Sequence, residues 1–293
     1  MPRVIEVIDK SRGCLNECVD ALSVAGFDPA DEESLHNAAC HLRRLGNNPD
    51  FLADLLVDEL KASLEADSAP PSYGPQVIML SPPGHGDFFL RANIWPSPDE
   101  HMMRASGSDS FVYGLPHDHN FHFLTLGYFG PGYWSDYYEF DYESVAGWSG
   151  EPVDLRFIER ARLEPGKIML YRAHRDVHRQ LPADSLSVSI NVMHASGAQA
   201  WLDQYAFDVD RSTVTQILNH GSAEALIRIA VGLGGAEAID LAHRFGTTHP
   251  SDRMRLHAWS GLASVAPDVT ARDEVWRAAG VCGSRLVAEE AGR

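Results

Sequence analysis

The sequence predicts a mainly β fold with α extensions: a β-sandwich or barrel flanked by helical segments. Short β-branched or aromatic runs separated by Gly and Pro turns fill the middle of the chain, while amphipathic helix patterns precede and follow them. We therefore expect an N-terminal helical segment over residues 1–70, a β block over 71–210 and a C-terminal helical segment over 211–293.

Two helices are predicted before the β block. In DEESLHNAACHLRRLG the apolar residues recur at helical spacing, Asp31 stands where an N-cap is needed and Gly46 closes the pattern. The run that starts at Phe51 repeats the same spacing. Residues 67–75, DSAPPSYGP, are rich in Pro, Ser and Gly, and this composition predicts the linker into the β block.

The β block contains short runs with the composition of strands. These runs are QVIMLSPPG, DFFLRANIWP, FHFLTLGYFG, SDYYEFD, VDLRFIERARLEPG, KIMLYRAH and DSLSVSINVM. In DFFLRANIW one face of the strand would carry Phe88, Leu90, Ala92 and Ile94, and the other Phe89, Arg91, Asn93 and Trp95. A face with Arg, Asn and Trp is wrong for a dry core, and it suits a ligand cavity instead.

After about residue 212 the chain returns to helical patterns broken by Gly and Pro. The stretch HPSDRMRLHAWSGLASVAPD resembles a helical repeat of the HEAT type, but too little of the pattern is present for a free-standing solenoid. We expect this segment to pack on the β block or on a second subunit, which would make the helical segments a homodimer surface.

Composition excludes several classes of partner. Lys and Arg total 24 against 41 Asp and Glu, a formal charge of −17, and such a surface repels phosphate backbones and anionic lipids. We therefore expect no nucleic-acid and no membrane partner, and the sequence shows no long apolar run of membrane-spanning length. The start of the chain lacks signal-peptide features, and the 4 cysteines are spaced unlike a zinc or disulfide framework, so a cytoplasmic location is expected.

The stretch GLPHDHNFHFL carries three histidines within six positions. In a strand, His117 and His119 would point to the same face, and their imidazoles could converge on one divalent ion. His122 is offset by an odd number, so it would face away unless a β-bulge re-aims it. A third ligand must come from another strand, and LEPGKIMLYRAHRDVHRQ offers His174 and His178.

An HxH motif followed by a Pro-Gly turn, a strand and a late histidine resembles the two-motif signature of the cupin superfamily. The resemblance covers the β block and implies a double-stranded β-helix, or jelly-roll, barrel that binds a metal ion. Two histidines of the first motif and one of the second bind the metal in that family, and His117 and His119 carry over directly. His178 lies 12 residues after Gly166 and matches the spacing of the second motif better than His174.

The carboxylate ligand that often follows the HxH motif is missing here, because Phe123 and Leu124 stand in its place. The pattern therefore resembles the three-histidine cupins, which include the cysteine dioxygenase-type thiol oxygenases. Three neutral imidazoles leave the ion its full charge and open positions, which favours an anionic substrate beside O₂ at iron(II). Zinc, manganese, nickel and copper remain alternatives.

The same resemblance suggests residues that would contact the substrate. An arginine on an early strand binds the substrate carboxylate in thiol dioxygenases, and Arg91 is the residue that fits this role. Independently of the resemblance, the aromatic strand in GYFGPGYWSDYYEFD offers Tyr128, Tyr133, Tyr137 and Tyr138 as hydrogen-bond partners of a ligand, and Tyr128 and Tyr133 are favoured among them. The Ser-x-His-x-Tyr relay of that family reads here as Ser189, then Asn and Met, so cysteine itself is disfavoured as the substrate.

The sequence thus favours a mononuclear non-haem iron(II) dioxygenase, an oxidoreductase acting with O₂ on a small amino-acid-like or other carboxylate substrate. Two other functions remain open. One is a cupin isomerase, lyase or hydrolase that uses zinc, manganese or nickel as a Lewis acid. The other is a non-catalytic ligand-binding or regulatory cupin whose helical tail binds a protein partner.

Overall fold

The computed structural model describes residues 2–65, 75–84 and 86–293, with the backbone alone for 62–65 and 198. Helices account for 39% and strands for 24%, so the chain is a mixture of helices and antiparallel sheets. The prediction of a mainly β chain is wrong, because the helices at the two ends contain more residues than the short strands between them. The predicted linker lies, except for residue 75, outside the described residues.

The chain divides into two compact units, Met1–Phe140 with Leu155–Gly197, and Asp141–Asp154 with Ala198–Arg293. The boundaries expected from the sequence, at residues 70 and 210, stay a prediction. No helix within the described ranges is long and apolar enough to cross a membrane.

The first unit holds the N-terminal helices and two antiparallel sheets. Its helices are α1 (Leu15–Ala25), α2 (Glu32–Gly46), α3 (Phe51–Glu65) and α4 (His101–Ser106). Its strands are β1 (Arg3–Val4), β2 (Val77–Ser81), β3 (Phe88–Trp95), β4 (Phe123–Phe129), β5 (Tyr133–Glu139), β6 (Arg156–Leu163), β7 (Ile168–Tyr171), β8 (Asp176–Gln180) and β9 (Ser187–His194).

Helix α2 begins as the sequence predicts, but its C-cap is Asn47 and not the predicted Gly46, which is the last residue of the helix. The side chain of Asp31 accepts a hydrogen bond from the backbone N–H of Ser34 at 2.7 Å and so caps the first turn. Near the end of the helix a Cβ on Gly46 would lie 2.7 Å from a methyl carbon of Leu126. The absence of a side chain at this position therefore lets α2 lie directly on strand β4.

The six-stranded sheet has the order β1-β7-β4-β9-β3-β2. One of its faces is apolar and packs against helices α1 to α3. That face and those helices share one core cluster, whose fully buried members include Leu42, Leu90, Leu124, Ile190 and Val192. This is the apolar face that the alternation in β3 predicts.

The other face of the same sheet is polar along its middle. Arg91 pairs with Asn191, and Thr125 pairs with Asn191 from the opposite side, so these three side chains form one row across β3, β9 and β4. In the next row Asn93 pairs with Ser189, whose Oγ accepts a hydrogen bond from the indole N–H of Trp95 at 3.0 Å. The polar face predicted for β3 is confirmed and extends over its neighbours.

A second, three-stranded sheet with the order β6-β5-β8 faces this polar side. A core cluster joins the two sheets, and its members include Trp95, Phe123, Tyr171 and Met193 from the larger sheet and Tyr133, Tyr137 and Leu163 from the smaller. The first unit is thus layered, with helices, a six-stranded sheet and a three-stranded sheet in succession.

The second unit contains a hairpin of β10 (Tyr205–Asp208) and β11 (Thr213–Ile217). The helices that follow are α5 (Ser222–Gly232), α6 (Ala236–Thr248), α7 (Asp252–Ser264), α8 (Val269–Gly280) and α9 (Arg285–Ala291). The expectation that helices resume at residue 212 is wrong for β11, where the β-branched alternation Thr-Val-Thr forms a strand.

Candidate metal centre

Three histidines predicted as metal ligands lie together between the two sheets. The Nε2 atoms of His119 and His178 are 3.0 Å apart, and those of His178 and His117 are 3.2 Å apart. All three residues are buried, with exposed fractions of 8%, 2% and 4% in that order. They form a buried group that could hold a metal ion.

Backbone pairing brings His117 and His178 opposite each other. The N–H of His117 donates to the carbonyl of His178 at 3.0 Å, and the N–H of His178 donates back at 2.9 Å, which makes an isolated antiparallel bridge. His119 lies beyond this bridge in irregular structure, and its carbonyl accepts a hydrogen bond from the backbone N–H of His174.

The expectation that all the histidines of GLPHDHNFHFL lie on one strand is therefore wrong. Strand β4 begins only at Phe123, so period-two alternation does not aim the imidazoles. Instead a single bridge to β8 positions His117, and the irregular chain after it positions His119. The imidazoles converge as predicted, but the cause is a loop and not a strand.

The histidines are held as neutral imidazoles. Burial lowers the pKa of His117 to about 4. Burial, together with the neighbouring imidazoles, lowers the pKa of His119 and His178 well below the usual range. The Nδ1 atom of His117 lies 2.9 Å from the carbonyl oxygen of Leu115, so that nitrogen carries the proton and Nε2 presents a lone pair to the group.

The spacing of these nitrogens fits one bound ion. With metal–nitrogen bonds of about 2.1 Å, ligand atoms lie about 3.0 Å apart at right angles and about 3.4 Å apart in a tetrahedron. The two measured separations, 3.0 and 3.2 Å, fall in that range. In addition, the Nδ1 atom of His119 is buried and has no hydrogen-bond partner among the described residues.

Gln180 is a neighbour of the group that the sequence analysis missed. It lies two residues after His178 on β8, and its Nε2 atom is 3.0 Å from Nδ1 and 3.2 Å from Nε2 of that histidine. Its Oε1 atom is buried without a hydrogen-bond partner in the described part of the chain. Period-two alternation along β8 would have placed Gln180 on the same face as His178.

Arg91 brings a buried positive charge to the group. Burial lowers its pKa to about 10, and it interacts electrostatically with His119 and Tyr133. Its Nε atom is buried and unpartnered within the residues that the structure describes. No carboxylate of the described residues forms an ion pair with Arg91, in contrast to Arg172, which pairs with Asp176 at 2.6 Å. A buried guanidinium of this kind can take an anion.

The two predicted tyrosines lie in different places. Tyr133 is buried beside Trp95, with the ring centroids 4.1 Å apart, and a hydrogen bond links it to Ser189 on the polar face. Tyr128 lies on the apolar side, where its hydroxyl donates to the carbonyl of Asn48 at 2.9 Å and its ring packs on Phe51. The structure does not bring Tyr128 to the histidines, because even-numbered positions of β4 face the helices.

The alternative ligands His122 and His174 lie outside the three-nitrogen group in the described structure. The Nδ1 atom of His122 accepts a hydrogen bond from the backbone N–H of Ala173 at 3.3 Å, and its ring lies near that of His194. His174 has a left-handed backbone with φ of 59°. The choice of His178 over His174 thus agrees with the observed geometry, while the role of ligand itself stays a prediction.

Two buried tyrosines lie next to His178: Tyr137, which the sequence offered as a further candidate, and Tyr171, which was missed. The hydroxyls of Tyr137 and Tyr171 are 3.0 Å apart, and the ring of Tyr171 packs edge-on against His178 at 4.8 Å between centroids. Burial raises the pKa of Tyr137 to about 12 and that of Tyr171 well above the usual range. Both phenols are therefore protonated and can act as hydrogen-bond donors.

Comparison with known proteins does not assign the chain to a family. No family model matches, and no curated protein matches. Among solved structures, the crystal structures of DMSP lyases RdDddP and RnDddQII share 12% identity at a TM-score of 0.27, over 66% of this chain and 79% of that one.

Two vicilins show similar sequence identities and TM-scores. Vicilin from Solanum melongena shares 12% identity at a TM-score of 0.27 over 61% of this chain, and vicilin from Corylus avellana shares 12% at 0.23 over 52%. The chain spans 42% of the length of each vicilin. Likenesses at this level carry no argument for fold or activity.

Proposed function

We propose that this chain is a metal-dependent enzyme of the cupin type, with one ion held by His117, His119 and His178. The observation that carries the proposal is the buried group of three Nε2 atoms at separations of 3.0 and 3.2 Å. The facing antiparallel sheets around it support the cupin assignment, as does the Pro-Gly turn between the first histidines and the last.

Iron(II) is the ion we propose first. A set of three neutral imidazoles, when loaded with iron, supplies open positions for an anionic substrate and for O₂, together with an electron source for oxygenation. The residues that follow the HxH motif provide no carboxylate, since Phe123 and Leu124 are both buried apolar side chains. This ligand set favours a thiol-dioxygenase-like oxygenase over enzymes that need a two-histidine-one-carboxylate triad.

The proposed substrate is a small molecule with a carboxylate, and an amino acid is one example. Arg91 would bind the carboxylate, since its guanidinium is buried near His119 and lacks an acidic partner among the described residues. Asn191 and Thr125 lie in the same row and offer further polar contacts to the substrate. The aromatic residues of the core cluster between the two sheets would keep water away from the reacting groups.

Metal analysis of protein purified without chelators tests this proposal. The expected result is about one equivalent of iron at the three-histidine site, with O₂ uptake when a suitable small carboxylate is added. Absence of any bound metal, with unchanged folding of a His117→Ala variant, would exclude both metal-enzyme functions and favour a non-catalytic binding protein.

A second function, Lewis-acid catalysis by a zinc, manganese or nickel form as an isomerase, lyase or hydrolase, has one observation in its favour. The paired phenols of Tyr137 and Tyr171 lie beside His178 and could move a proton to or from a substrate. Turnover under strictly anaerobic conditions would identify this function, because an oxygenase stops without O₂.

We also propose that the enzyme acts in the cytoplasm as a homodimer formed through its helical segments. The strongly acidic composition argues against nucleic-acid partners. Sedimentation equilibrium of the full chain measures the oligomeric state, and a monomer at micromolar concentration would contradict the dimer.

A further inference from the structure

A second group of metal-binding side chains lies in the helical unit. His220 lies two residues before α5, Glu224 lies in the first turn of that helix, and His257 lies in the middle of α7. The ligand atoms of the three residues all lie within 4.8 Å of one another. Glu224 is buried, while His257 is partly exposed and His220 is exposed.

One carboxylate oxygen lies between the two imidazoles. The Oε2 atom of Glu224 is 2.7 Å from Nδ1 of His220 and 3.5 Å from Nε2 of His257. Tetrahedral ligands on an ion of zinc's size are about 3.3 Å apart, which lies between these two values. An ion placed among the three atoms would replace the proton that His220 now shares with Glu224.

The other carboxylate oxygen of Glu224 is held by Arg253. Its Oε1 atom accepts a hydrogen bond from the guanidinium of Arg253, which also donates to Asp203 at 2.5 Å. Arg253 is thus shared between two carboxylates, so its charge does not cancel that of Glu224 alone. This buried contact fixes the direction of the Glu224 carboxylate and leaves Oε2 for a cation.

The chemistry of the donor set suits a divalent transition-metal ion. One carboxylate oxygen and two imidazole nitrogens lie close together here, and this mixture of oxygen and nitrogen ligands is one that borderline divalent ions accept.

The group opens into a groove of about 550 Å³, which is lined also by Ala225, Arg228, Ile229 and Ser264. The groove gives room for a water molecule or a small ligand at a fourth coordination position. Arg228 and Arg253 both oppose a cation here, since the charges of both act on His257, and Arg228 is the one of the two that lines the groove.

From this geometry we propose that His220, Glu224 and His257 form a second metal site, which binds zinc or a similar divalent transition-metal ion. Two histidines and a glutamate with an open position form a donor set that zinc uses in proteins. The site does not depend on the three-histidine centre or on its proposed function. Its ion would also tie the turn before α5 to helix α7.

Zinc titration of the metal-stripped full chain tests the proposal. The wild-type protein should hold two equivalents, and His220→Ala and His257→Ala should each hold one, while the exposed His101→Ala control should still hold two. If the three-histidine centre holds no zinc, the wild type should hold one equivalent and His257→Ala none, so failure of one site is distinguishable from failure of the other. Equal zinc content in His257→Ala and the wild type would overturn the proposal.

A gain-of-binding variant provides a second readout that a purely structural role would not produce. Arg228→Ala removes a positive charge next to His257, so zinc should bind this site severalfold more tightly. Thermal unfolding with and without zinc should show a larger rise in Tm for Arg228→Ala than for the wild type, and no rise attributable to this site in His257→Ala. An unchanged or weaker zinc affinity in Arg228→Ala would contradict the site.

Discussion

The two faces of the six-stranded sheet differ in character although they belong to the same strands. On one face Leu90, Leu124 and Ile190 are completely buried against helices α1 to α3. On the other face Arg91 and Thr125 flank Asn191, and this row faces the interior in which the histidines lie. One face supplies hydrophobic stabilisation, whereas the other keeps buried polar groups that cost stability.

The difference indicates that alternate positions of one strand contribute to different properties, one set to stability and the other to ligand binding. Among the described residues, the Nε of Arg91 and the Oγ1 of Thr125 are buried without a hydrogen-bond partner, and a stable core does not select such groups. Such groups are expected where a ligand completes the hydrogen bonding. Substitutions on the apolar face should therefore change stability, and those on the polar side should change binding.

The largest effect is expected from His178→Ala. If three ligands share about 12 kcal/mol of metal-binding free energy, losing one costs about 4 kcal/mol, or about a thousandfold in affinity. Metal titration monitored by competition with a chelator measures this loss. His122→Ala is the matched control, and an equal loss in the control would show that the ligand assignment is wrong.

Leu124→Ala should produce the next largest effect, and it should change the stability of the fold instead of the metal affinity. The side chain is fully buried in the core shared with the helices, so its truncation should lower the free energy of unfolding by about 3 kcal/mol. Urea denaturation measures this change, and the metal affinity of the folded variant should stay the same. Val57→Ala, at a position 47% exposed, should change stability by less than about 0.5 kcal/mol.

Arg91→Met places an apolar side chain on the polar face of the six-stranded sheet. The lost contact to a substrate carboxylate should raise KM by about thirtyfold or more, in line with about 2 kcal/mol for a buried charged hydrogen bond. Stability should be unchanged or higher, since a buried charge is removed. Metal content is the internal control, and a normal KM with a reduced metal content would assign Arg91 to the metal site instead.

Asp136→Asn tests the three-stranded sheet at β5, where Asp136 pairs with Arg179, the residue after His178 on β8. Hydrogen bonds from Arg160 and Arg179 hold the pKa of Asp136 below its usual value. A depressed carboxylate pKa stabilises the fold above the unfolded value near 4, and this contribution is lost as pH falls through the folded value.

Because Arg160 is half exposed, we expect Asp136→Asn to cost only about 1 kcal/mol at pH 7. The difference from the wild type should shrink as the pH is lowered below about 4. Urea denaturation at a series of pH values measures the difference, and an increase on acidification would contradict the depressed pKa of Asp136.

The smallest effect is expected from Tyr128→Phe. The change removes one hydrogen bond to the carbonyl of Asn48 and should lower the free energy of unfolding by about 0.5 to 1 kcal/mol. Metal affinity and KM should not change, because this tyrosine lies on the apolar side. Tyr133→Phe is the paired variant, and it should alter KM through the lost contact with Ser189.

The sequence predicts some parts of this arrangement for a clear physical reason. The N-cap of α2 at Asp31 and the two faces of β3 follow from local spacing. The grouping of His117 and His119 with His178 came from the resemblance to the cupin motifs, because the strand that was expected to aim the first two begins only at Phe123. The isolated bridge between His117 and His178 and the irregular chain around His119 were not foreseen, since a bridge between distant residues leaves no periodicity. Gln180 was missed because β8 was not recognised as a strand.

The bridge between His117 and His178 has a consequence for the order in which the protein matures. Two reciprocal backbone hydrogen bonds join the main chains of His117 and His178, and neither bond involves an imidazole. If the proposed ion binds here, folding and metal loading would be separate events, in contrast to zinc fingers, whose fold depends on the metal. The chain stripped by a chelator would then be expected to keep its fold and to take the ion up again.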